Sequence, residues 1–246
     1  YLNFSDPWPK ERNAKILLFS VSFFDPEILE NYDKAWFLGF DYLRATREQA
    51  DMIGHFLESH PNCDRNHNKS LDIVVLQDDI INNAIERKSA GIMGEKLTTS
   101  KYPYHSISFF DNIKNFDEAY EKTTDVIKKI GIENIDMFVT DNDNTAIGII
   151  KALNEHNYNH PESLVKDPEH HIPVFSMTGT NEAIKFVESG MLTGTVKMEF
   201  PYLAKLSLDI LTTDVHSIDD IPAAKWTSVI GKRATVVPSR KYHIFK

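Results

Sequence analysis

The segment from Asp64 to Asp72 carries an oxygen-bearing side chain at every second position. EF-hand-like calcium loops have this spacing, because alternating side-chain oxygens and one backbone carbonyl surround a hard cation. The ligands that this pattern predicts are Asp64, Asn66, Asn68, Ser70 through its carbonyl, and Asp72. Val75 occupies the position where such a loop supplies a bidentate Glu, and Lys69 stands where the turn favours Gly. A calcium site and an ordinary polar turn therefore both stay open.

A second polar group, Asp141 to Asn144, follows an apolar run and opens an amphipathic stretch. Ligands of open α/β sheets bind outside the carboxyl ends of the strands, so amides and carboxylates placed there can bond sugar hydroxyls. Capping of the following helix is the alternative role for these side chains. Arg87 is a further ligand candidate, with an exposed surface charge as its alternative role. Phe109 and Phe110 lie at the end of a predicted strand and could stack on a sugar ring.

Enzymatic interpretations find little support in the residues. The sequence contains no nucleophile elbow, P-loop, dinucleotide glycine fingerprint or HExxH zinc motif. Paired carboxylates such as Asp78 and Asp79 are the only support for a sugar-modifying enzyme, but adjacent residues on one loop rarely converge as acid and base. His170 and His171 could bind a metal, although adjacent histidines in a polar loop are more commonly solvated. A binding protein is favoured over an enzyme.

The elements that position these side chains alternate along the chain. Apolar, β-rich runs are followed by amphipathic stretches, which is the pattern of βα units around a parallel sheet. Strands are predicted at 15–20, 35–39, 71–76, 105–109, 135–140, 172–176, 194–196 and 233–237. Helices are predicted at 46–59, with Thr46 as N-cap, and at 82–91, 117–130, 145–156, 181–188 and 202–211. The polar segment 157–171 is predicted to be a loop.

Composition narrows the classes of partner. The 246 residues carry a formal net charge of -9, which argues against nucleic acid because phosphates are bound by clustered Lys and Arg. No apolar run approaches the roughly 18 residues that a membrane helix needs. Cys63 is the single cysteine, so thiols do not decide between cytosol and periplasm. The chain starts at Tyr1 without a signal-peptide pattern, so we expect it to have been processed or trimmed.

The order of these pieces resembles the periplasmic galactose/glucose-binding proteins of ABC transporters, in the ribose-binding-like group. The matching segments are 32–39, the loop 64–72 with the strand 73–76, 135–143, 172–175 and 189–196. The resemblance implies an α/β fold of two Rossmann-like lobes, each a parallel sheet flanked by helices. Residues 1–40 with 196–230 would form a partial first lobe, and 41–195 with 231–246 the second. Counterparts of the family's first three βα units are absent, so the first lobe is expected to be incomplete or rearranged.

The resemblance also implies site residues. In that family an acidic residue of a neighbouring strand completes the calcium loop, and the matching position is Asp136. The implied sugar-site positions are Asn142, Arg87, the polar pair Asn82 and Asn83, Phe110 in place of a stacking Trp, Thr178 in place of an acidic ligand, and Met198 in place of a hinge Asn. Calcium would be structural, held by Asp64, Asn66, Asn68, Ser70, Asp72 and Asp136.

The resemblance implies an extracytoplasmic binding function without catalysis. A monosaccharide such as glucose or galactose would be bound by hinge closure and delivered to the permease of a membrane ABC transporter. The expected protein is periplasmic and monomeric, with a lipid anchor before Tyr1 left open. A sugar-sensing module for a membrane receptor or chemotaxis is the alternative. A repressor's effector domain would need a helix-turn-helix, for which residues 1–12 are too short.

Overall fold

The computed structural model describes residues 13–20, 29, 32–60, 62–78 and 105–245. Its strands are β1 (Ile16–Ser20), β2 (Ala35–Phe40), β3 (Leu71–Leu76), β4 (His105–Phe110), β5 (Met137–Thr140), β6 (Val174–Thr178), β7 (Gly194–Met198), β8 (Ser228–Gly231), β9 (Ala234–Val237) and β10 (Ser239–His243). Its helices are α1 (Tyr42–Ser59), α2 (Phe116–Ile130), α3 (Asp143–Glu155), α4 (Ser163–Lys166), α5 (Asn181–Glu188) and α6 (Phe200–Thr212). The predicted helix at 82–91 lies outside the described residues.

The chain divides into two compact units. The first comprises residues 1–44 and 198–239, and the second comprises 45–197 and 240–246. The first unit contains a sheet of order β1-β2-β9-β8, in which β1, β2 and β9 are parallel and β8 is antiparallel to β9. The second contains the six-stranded sheet β10-β7-β6-β5-β3-β4. Mixed and parallel sheets flanked by helices confirm the predicted fold class.

The predicted boundary after residue 230 is wrong, because strand β9 belongs to the first unit. The sequence analysis placed 231–246 in the second lobe, whereas β9 pairs with β2 of the first unit. Arg233 fixes this pairing, because its guanidinium donates to the backbone carbonyls of Leu29, Tyr32 and Ala35. The residues after Ser239 are the ones that belong to the second unit.

Helix α1 begins earlier than its apolar pattern predicted. The predicted face of Ala50, Ile53, Phe56 and Leu57 is buried, as expected for an amphipathic helix. The N-cap, however, is not Thr46, which is buried within the helix. Asp41 Oδ1 accepts a hydrogen bond from the backbone N–H of Arg44 at 2.9 Å, so the helix starts directly after β2.

The six-stranded sheet of the second unit carries the main described core. Strands β4, β3, β5, β6 and β7 pair in parallel, so their carboxyl ends share one edge. Buried apolar residues of these strands pack against α2, α3 and α5. Helices α2 and α3 approach closely at Gly148, where an added Cβ would lie 2.4 Å from the carbonyl oxygen of Phe116.

Several short elements were not predicted from the sequence. The strands β8 and β10 have mostly exposed or half-exposed residues, so neither shows the buried apolar run that identifies a strand. The segment predicted as a loop at 157–171 contains α4 and a 3-10 turn at Pro168–His170. Within the described residues, no helix combines the length and the apolar character that crossing a membrane requires.

Candidate functional site

The carboxyl edge of the six-stranded sheet gathers most of the described candidate side chains. Phe110 ends β4, Asp78 follows β3, Asn142 follows β5, and Thr178 ends β6. These strands are neighbours in the order β6-β5-β3-β4, and Leu76 of β3 pairs directly with Phe110. An aromatic ring and several polar groups therefore lie along one edge, where α/β proteins bind their ligands.

Asn142 serves as the N-cap of α3. Its Oδ1 accepts a hydrogen bond from the backbone N–H of Thr145 at 2.9 Å, and its Nδ2 donates to Asp141 Oδ1 at 3.0 Å. One amide hydrogen and one oxygen lone pair are left for another partner, since an amide has two of each. The capping role that the sequence left open is thus present, and it limits what Asn142 can offer a ligand.

Asp143 ties three elements together beneath this edge. The side chain is only 1% exposed, yet each oxygen has donors. Oδ1 accepts from the hydroxyls of Ser176 at 2.6 Å and Thr195 at 2.9 Å, and Oδ2 accepts from the backbone N–H of Thr180 at 2.6 Å. A buried charge is tolerated when it is bonded in this way. Asp143 is therefore a structural carboxylate that joins β6, β7 and the start of α5.

Asp141 and Asp78 form a carboxylate pair at the edge. Asp141 Oδ2 accepts a hydrogen bond from the backbone N–H of Asp78 at 2.9 Å. The pKa of Asp141 is raised to about 6, chiefly by burial and in smaller part by the negative charge of Asp78, while hydrogen bonds to the carboxylate act in the opposite direction. Asp78 has a buried oxygen, Oδ1, without a hydrogen-bond partner. Asp141 belongs to the polar group 141–144 that was predicted to bond sugar hydroxyls, whereas Asp78 was noted only in a carboxylate pair.

The other predicted sugar residues fall into separate environments. Phe110 is half-buried, and the Lys122 ammonium lies 5.1 Å from the centre of its ring. The Thr178 hydroxyl donates to the Met177 carbonyl and lies 3.4 Å from the backbone nitrogen of Asp143. Met198 ends β7 and is 2% exposed, so its thioether is part of the packed interior. Arg87, Asn82 and Asn83 lie outside the described residues.

The polar side chains of the loop from Asp64 to Asp72 hydrogen-bond within the loop. Asp64 Oδ1 and Oδ2 accept from the backbone N–H groups of Asn68 and Lys69 at 3.1 and 2.8 Å. Asp72 Oδ2 accepts from the amides of Asn66 at 3.2 Å and Asn68 at 2.8 Å. Lys69 has a φ of 69°, the left-handed conformation for which the turn favours Gly. The predicted turn geometry is therefore present with a residue that adopts it at a cost.

Asp136 closes this loop from the neighbouring strand. It is fully buried, and its two oxygens accept from the backbone N–H groups of Arg65 and Asp72, both at 2.7 Å. Burial raises the pKa of Asp136, the two hydrogen bonds lower it, and the charges of Asp72 and Asp64 raise it again. Three carboxylates therefore act on one another at this place.

The loop contains the types of ligand atom that calcium takes, but their present orientations do not form the expected ligand set. Carboxylate, amide and carbonyl oxygens are the ligands that calcium takes. In the described part of the chain, however, no group of three or more His, Cys, Asp or Glu is placed to hold a metal ion. The amides of Asn66 and Asn68 present nitrogen to Asp72, and a half-turn of each amide would present oxygen instead. Such rotations would be needed for the ligand set that the resemblance implies.

His170 and His171 differ sharply although they are adjacent. His170 is exposed and its Nδ1 lies 3.0 Å from the Asp167 carboxylate. His171 is buried, with Nδ1 2.9 Å from the Ser163 hydroxyl and Nε2 2.9 Å from the Thr193 hydroxyl. Burial lowers the pKa of His171 to about 3, with smaller contributions from His60 and Arg65. It is a neutral core residue.

Comparison with known proteins places this architecture in a family. Residues 12–213 match the family described as a periplasmic binding protein domain. The chain belongs to the periplasmic binding protein family. This confirms the resemblance stated from the sequence, at the level of the family and its fold.

Individual relatives of this periplasmic binding protein are distant. The D-galactose/methyl-galactoside binding periplasmic protein MglB of Haemophilus influenzae is 20% identical over 189 residues, which is 76% of this chain and 52% of MglB. The chain thus spans about half the length of that relative.

Solved structures share the fold at still lower identity. The arabinose-transporter binding protein of Shewanella sp. ANA-3, bound to L-arabinofuranose, superposes with a TM-score of 0.64 at 14% identity, covering 96% of this chain and 67% of that one. A solute-binding protein of Actinobacillus succinogenes with bound D-allose gives a TM-score of 0.62 at 16% identity, covering 96% of this chain and 70% of that one. At such identities the likeness establishes the fold alone.

Proposed function

We propose that this chain is the sugar-binding part of an extracytoplasmic receptor that delivers a hexose, glucose or galactose, to an ABC transporter. The observation that carries the proposal is the carboxyl edge of the second sheet, where Phe110 ends β4 and where Asp78 and Asn142 follow the neighbouring strands β3 and β5. An aromatic face can stack on the apolar side of a pyranose ring, while carboxylates and amides bond its hydroxyls. Such groups bind, orient and release a sugar, and no covalent bond is made or broken.

Two further observations support the proposal. The family is that of periplasmic binding proteins, and a relative is named for binding D-galactose and methyl-galactoside. The carboxylate of Asp141 and the amide of Asn142 are bonded to each other, so this part of the edge is rigid before a ligand arrives. A rigid set of hydrogen-bonding groups loses little entropy on binding, which favours affinity for a small ligand.

Calorimetric titration tests the proposal directly. The chain would be titrated with glucose and galactose, and with allose and arabinose because structural relatives hold those sugars. We expect micromolar binding of glucose or galactose, with weaker binding of the other sugars. A folded chain that releases no heat with any of the sugars would contradict the proposal.

We propose in addition that the loop from Asp64 to Asp72 binds a structural calcium ion together with Asp136. Three carboxylates act on one another here, and among the causes that shift the pKa of Asp136 no basic side chain offsets them. A divalent cation would relieve this repulsion. The Asn66 and Asn68 oxygens and the Ser70 carbonyl would complete the ligand set.

Calcium binding is tested by measuring the melting temperature of the chain in about 1 mM calcium and in EDTA. We expect calcium to raise the melting temperature of the parent chain, because a ligand that binds the folded state stabilises it. Asp64→Asn should abolish most of that response, whereas Asp125→Asn, an exposed position on α2, should leave it intact. Equal melting temperatures of the parent chain in calcium and in EDTA would show that the loop is held by hydrogen bonds alone.

A further inference from the structure

We propose that Asp78 accepts the hydrogen bonds of the sugar hydroxyls at the carboxyl edge of the second sheet, and that the ligand it selects is uncharged. This inference rests on the proposed sugar binding and names a residue that neither the sequence pattern nor the resemblance assigned to the site.

Asp78 holds the central position of the edge. It follows β3, which lies between β4, ending in Phe110, and β5, which leads to Asn142. Its backbone N–H donates to Asp141 Oδ2 at 2.9 Å, which fixes the start of its side chain. A ring of sugar size that stacks on Phe110 and reaches Asn142 must pass over this residue.

The neighbouring polar groups already have partners inside the protein. Asp143 accepts three hydrogen bonds. Asp141 accepts from the Asp78 backbone and from Asn142, and the Asn142 amide caps α3. Gln77 donates to Asp111 at 2.7 Å. Each of these groups already makes at least one hydrogen bond within the protein before a ligand binds.

Asp78 differs from all of them. Its Oδ1 is buried and has no hydrogen-bond partner. A buried acceptor without a donor destabilises the free protein, and a ligand that supplies a donor relieves that cost. The residue as a whole is only half-buried, so rotation of its side chain can bring the carboxylate to the surface of the edge. A hydroxyl of a bound sugar supplies the missing donor.

The charge of the edge defines the class of ligand. Asp78 and Asp141 lie close enough for the negative charge of Asp78 to raise the pKa of Asp141. An anionic sugar would add a third negative charge beside Asp78 and Asp141, whereas an uncharged sugar supplies hydroxyl donors without adding charge. The edge therefore favours neutral monosaccharides over sugar phosphates and sugar acids.

Titration of two substitutions at Asp78 tests the inference. Asp78→Asn should weaken the binding of glucose or galactose by about 10-fold, and Asp78→Ala by up to about 100-fold, as expected for hydrogen bonds to a charged acceptor. Asp125→Asn removes the same charge from an exposed position of α2 and should change the affinity by less than about twofold. Glucose 6-phosphate and galacturonate should bind the parent chain more weakly than glucose and galactose.

The melting temperature of the ligand-free chain provides a second readout. Because Oδ1 of Asp78 has no donor, Asp78→Asn should leave the melting temperature unchanged or raise it. A clear fall would show that the oxygen is bonded within the protein and would overturn the inference, whatever the titration gives. Sugar binding by the parent chain with no loss in Asp78→Ala would overturn the role of Asp78 while the proposed function stands. No binding by the parent chain would overturn both.

Discussion

Asp136 Oδ1 accepts a hydrogen bond of 2.7 Å from the backbone N–H of Arg65, which lies 71 residues earlier in the chain. The second oxygen of the same carboxylate accepts from the backbone N–H of Asp72, also at 2.7 Å. One buried side chain therefore holds both ends of the polar loop against the sheet. The loop is shaped by this carboxylate as much as by its own alternating residues.

Replacing Asp136 with Ala should destabilise the second unit. The change leaves two backbone N–H groups without their acceptor, and hydrogen bonds to a charged group contribute roughly 1.5–3 kcal/mol each. We expect the free energy of unfolding to fall by about 3 kcal/mol, measured by urea denaturation. Asp125→Ala, at an exposed site of α2, is the control and should stay within about 0.5 kcal/mol of the parent chain. Equal effects of the two changes would contradict the role of Asp136 as an anchor.

The polar loop shows what a sequence can and cannot reveal. The alternation of oxygen-bearing residues from Asp64 to Asp72 predicted a calcium loop or a polar turn, because spacing along a turn is a local property. Asp136 could not be found in this way, since its contact with Arg65 depends on how distant strands pair. It was suggested through the resemblance alone. The orphan oxygen of Asp78 likewise exists only in three dimensions, after β3 and β5 are brought together.

Substitution of two helical glycines should have opposite effects. Gly148 lies in α3 where an added Cβ would be 2.4 Å from the Phe116 carbonyl oxygen and 2.9 Å from Ala119 Cβ, so Gly148→Ala must push α2 away. Gly54 lies in α1 with nothing within 4 Å of the added Cβ. Ala is favoured over Gly in a helix by about 1 kcal/mol. Gly54→Ala should therefore stabilise the chain by up to about 1 kcal/mol.

Thermal unfolding of the two variants side by side measures this difference. Gly148→Ala should lower the melting temperature by several degrees, since overpacking costs about 1–3 kcal/mol. Gly54→Ala acts as its matched control, because both changes add one methyl group inside a helix. If both variants gained stability equally, α2 and α3 would not approach as closely as described.

The Asp141 carboxylate should make stability depend on pH in a defined direction. Burial raises its pKa to about 6 in the folded chain, above the ordinary value of 3.8. The folded state therefore binds the proton more tightly, so this group favours folding at low pH, and its contribution is lost as pH rises from about 4 to above 6. A shift of about two units corresponds to about 3 kcal/mol.

Asp141→Asn removes this dependence. The stability of the variant relative to the parent chain should increase between pH 4.5 and pH 7.5, by about 2 kcal/mol, in urea denaturation at the two values. The comparison uses the change with pH, so a constant loss from altered hydrogen bonds does not affect it. A difference that is the same at both pH values would show that Asp141 titrates normally.

Several elements of the fold were recoverable from patterns and others were not. The buried strands β3 and β6 and the helix α5 have strong periodicity, and each was predicted close to its observed place. The start of α1 was missed because Thr46 and Asp41 are both good capping residues, and only the contact with the Arg44 N–H decides between them. The strand β8 is exposed, so its pairing with β9 depends on tertiary context.

His171 should remain uncharged well below neutral pH. Its Nε2 faces the Thr193 hydroxyl, which already accepts from the Val174 N–H at 3.0 Å and so has its own hydrogen to donate. Nδ1 faces the Ser163 hydroxyl, whose hydrogen is directed to the Gly190 carbonyl at 3.3 Å. The arrangement is satisfied by a neutral ring that carries its proton on Nδ1. If Nε2 took up a second proton, its N–H and the Thr193 O–H would be two donors facing each other. The buried ring would also carry a charge.

Nitrogen NMR of the histidine rings measures both properties. The His171 signals should show the Nδ1-protonated tautomer and stay constant from pH 8 to pH 5, because burial lowers the pKa to about 3. Since the unfolded chain takes up this proton near pH 6.5 and the folded chain does not, stability should fall as pH drops below 6.5. From pH 6.5 to pH 5 the loss is about 2 kcal/mol, and His171→Gln should lack it. Protonation of His171 near pH 6 in the folded chain would show that the ring reaches solvent and that the two hydroxyls do not hold it in the core.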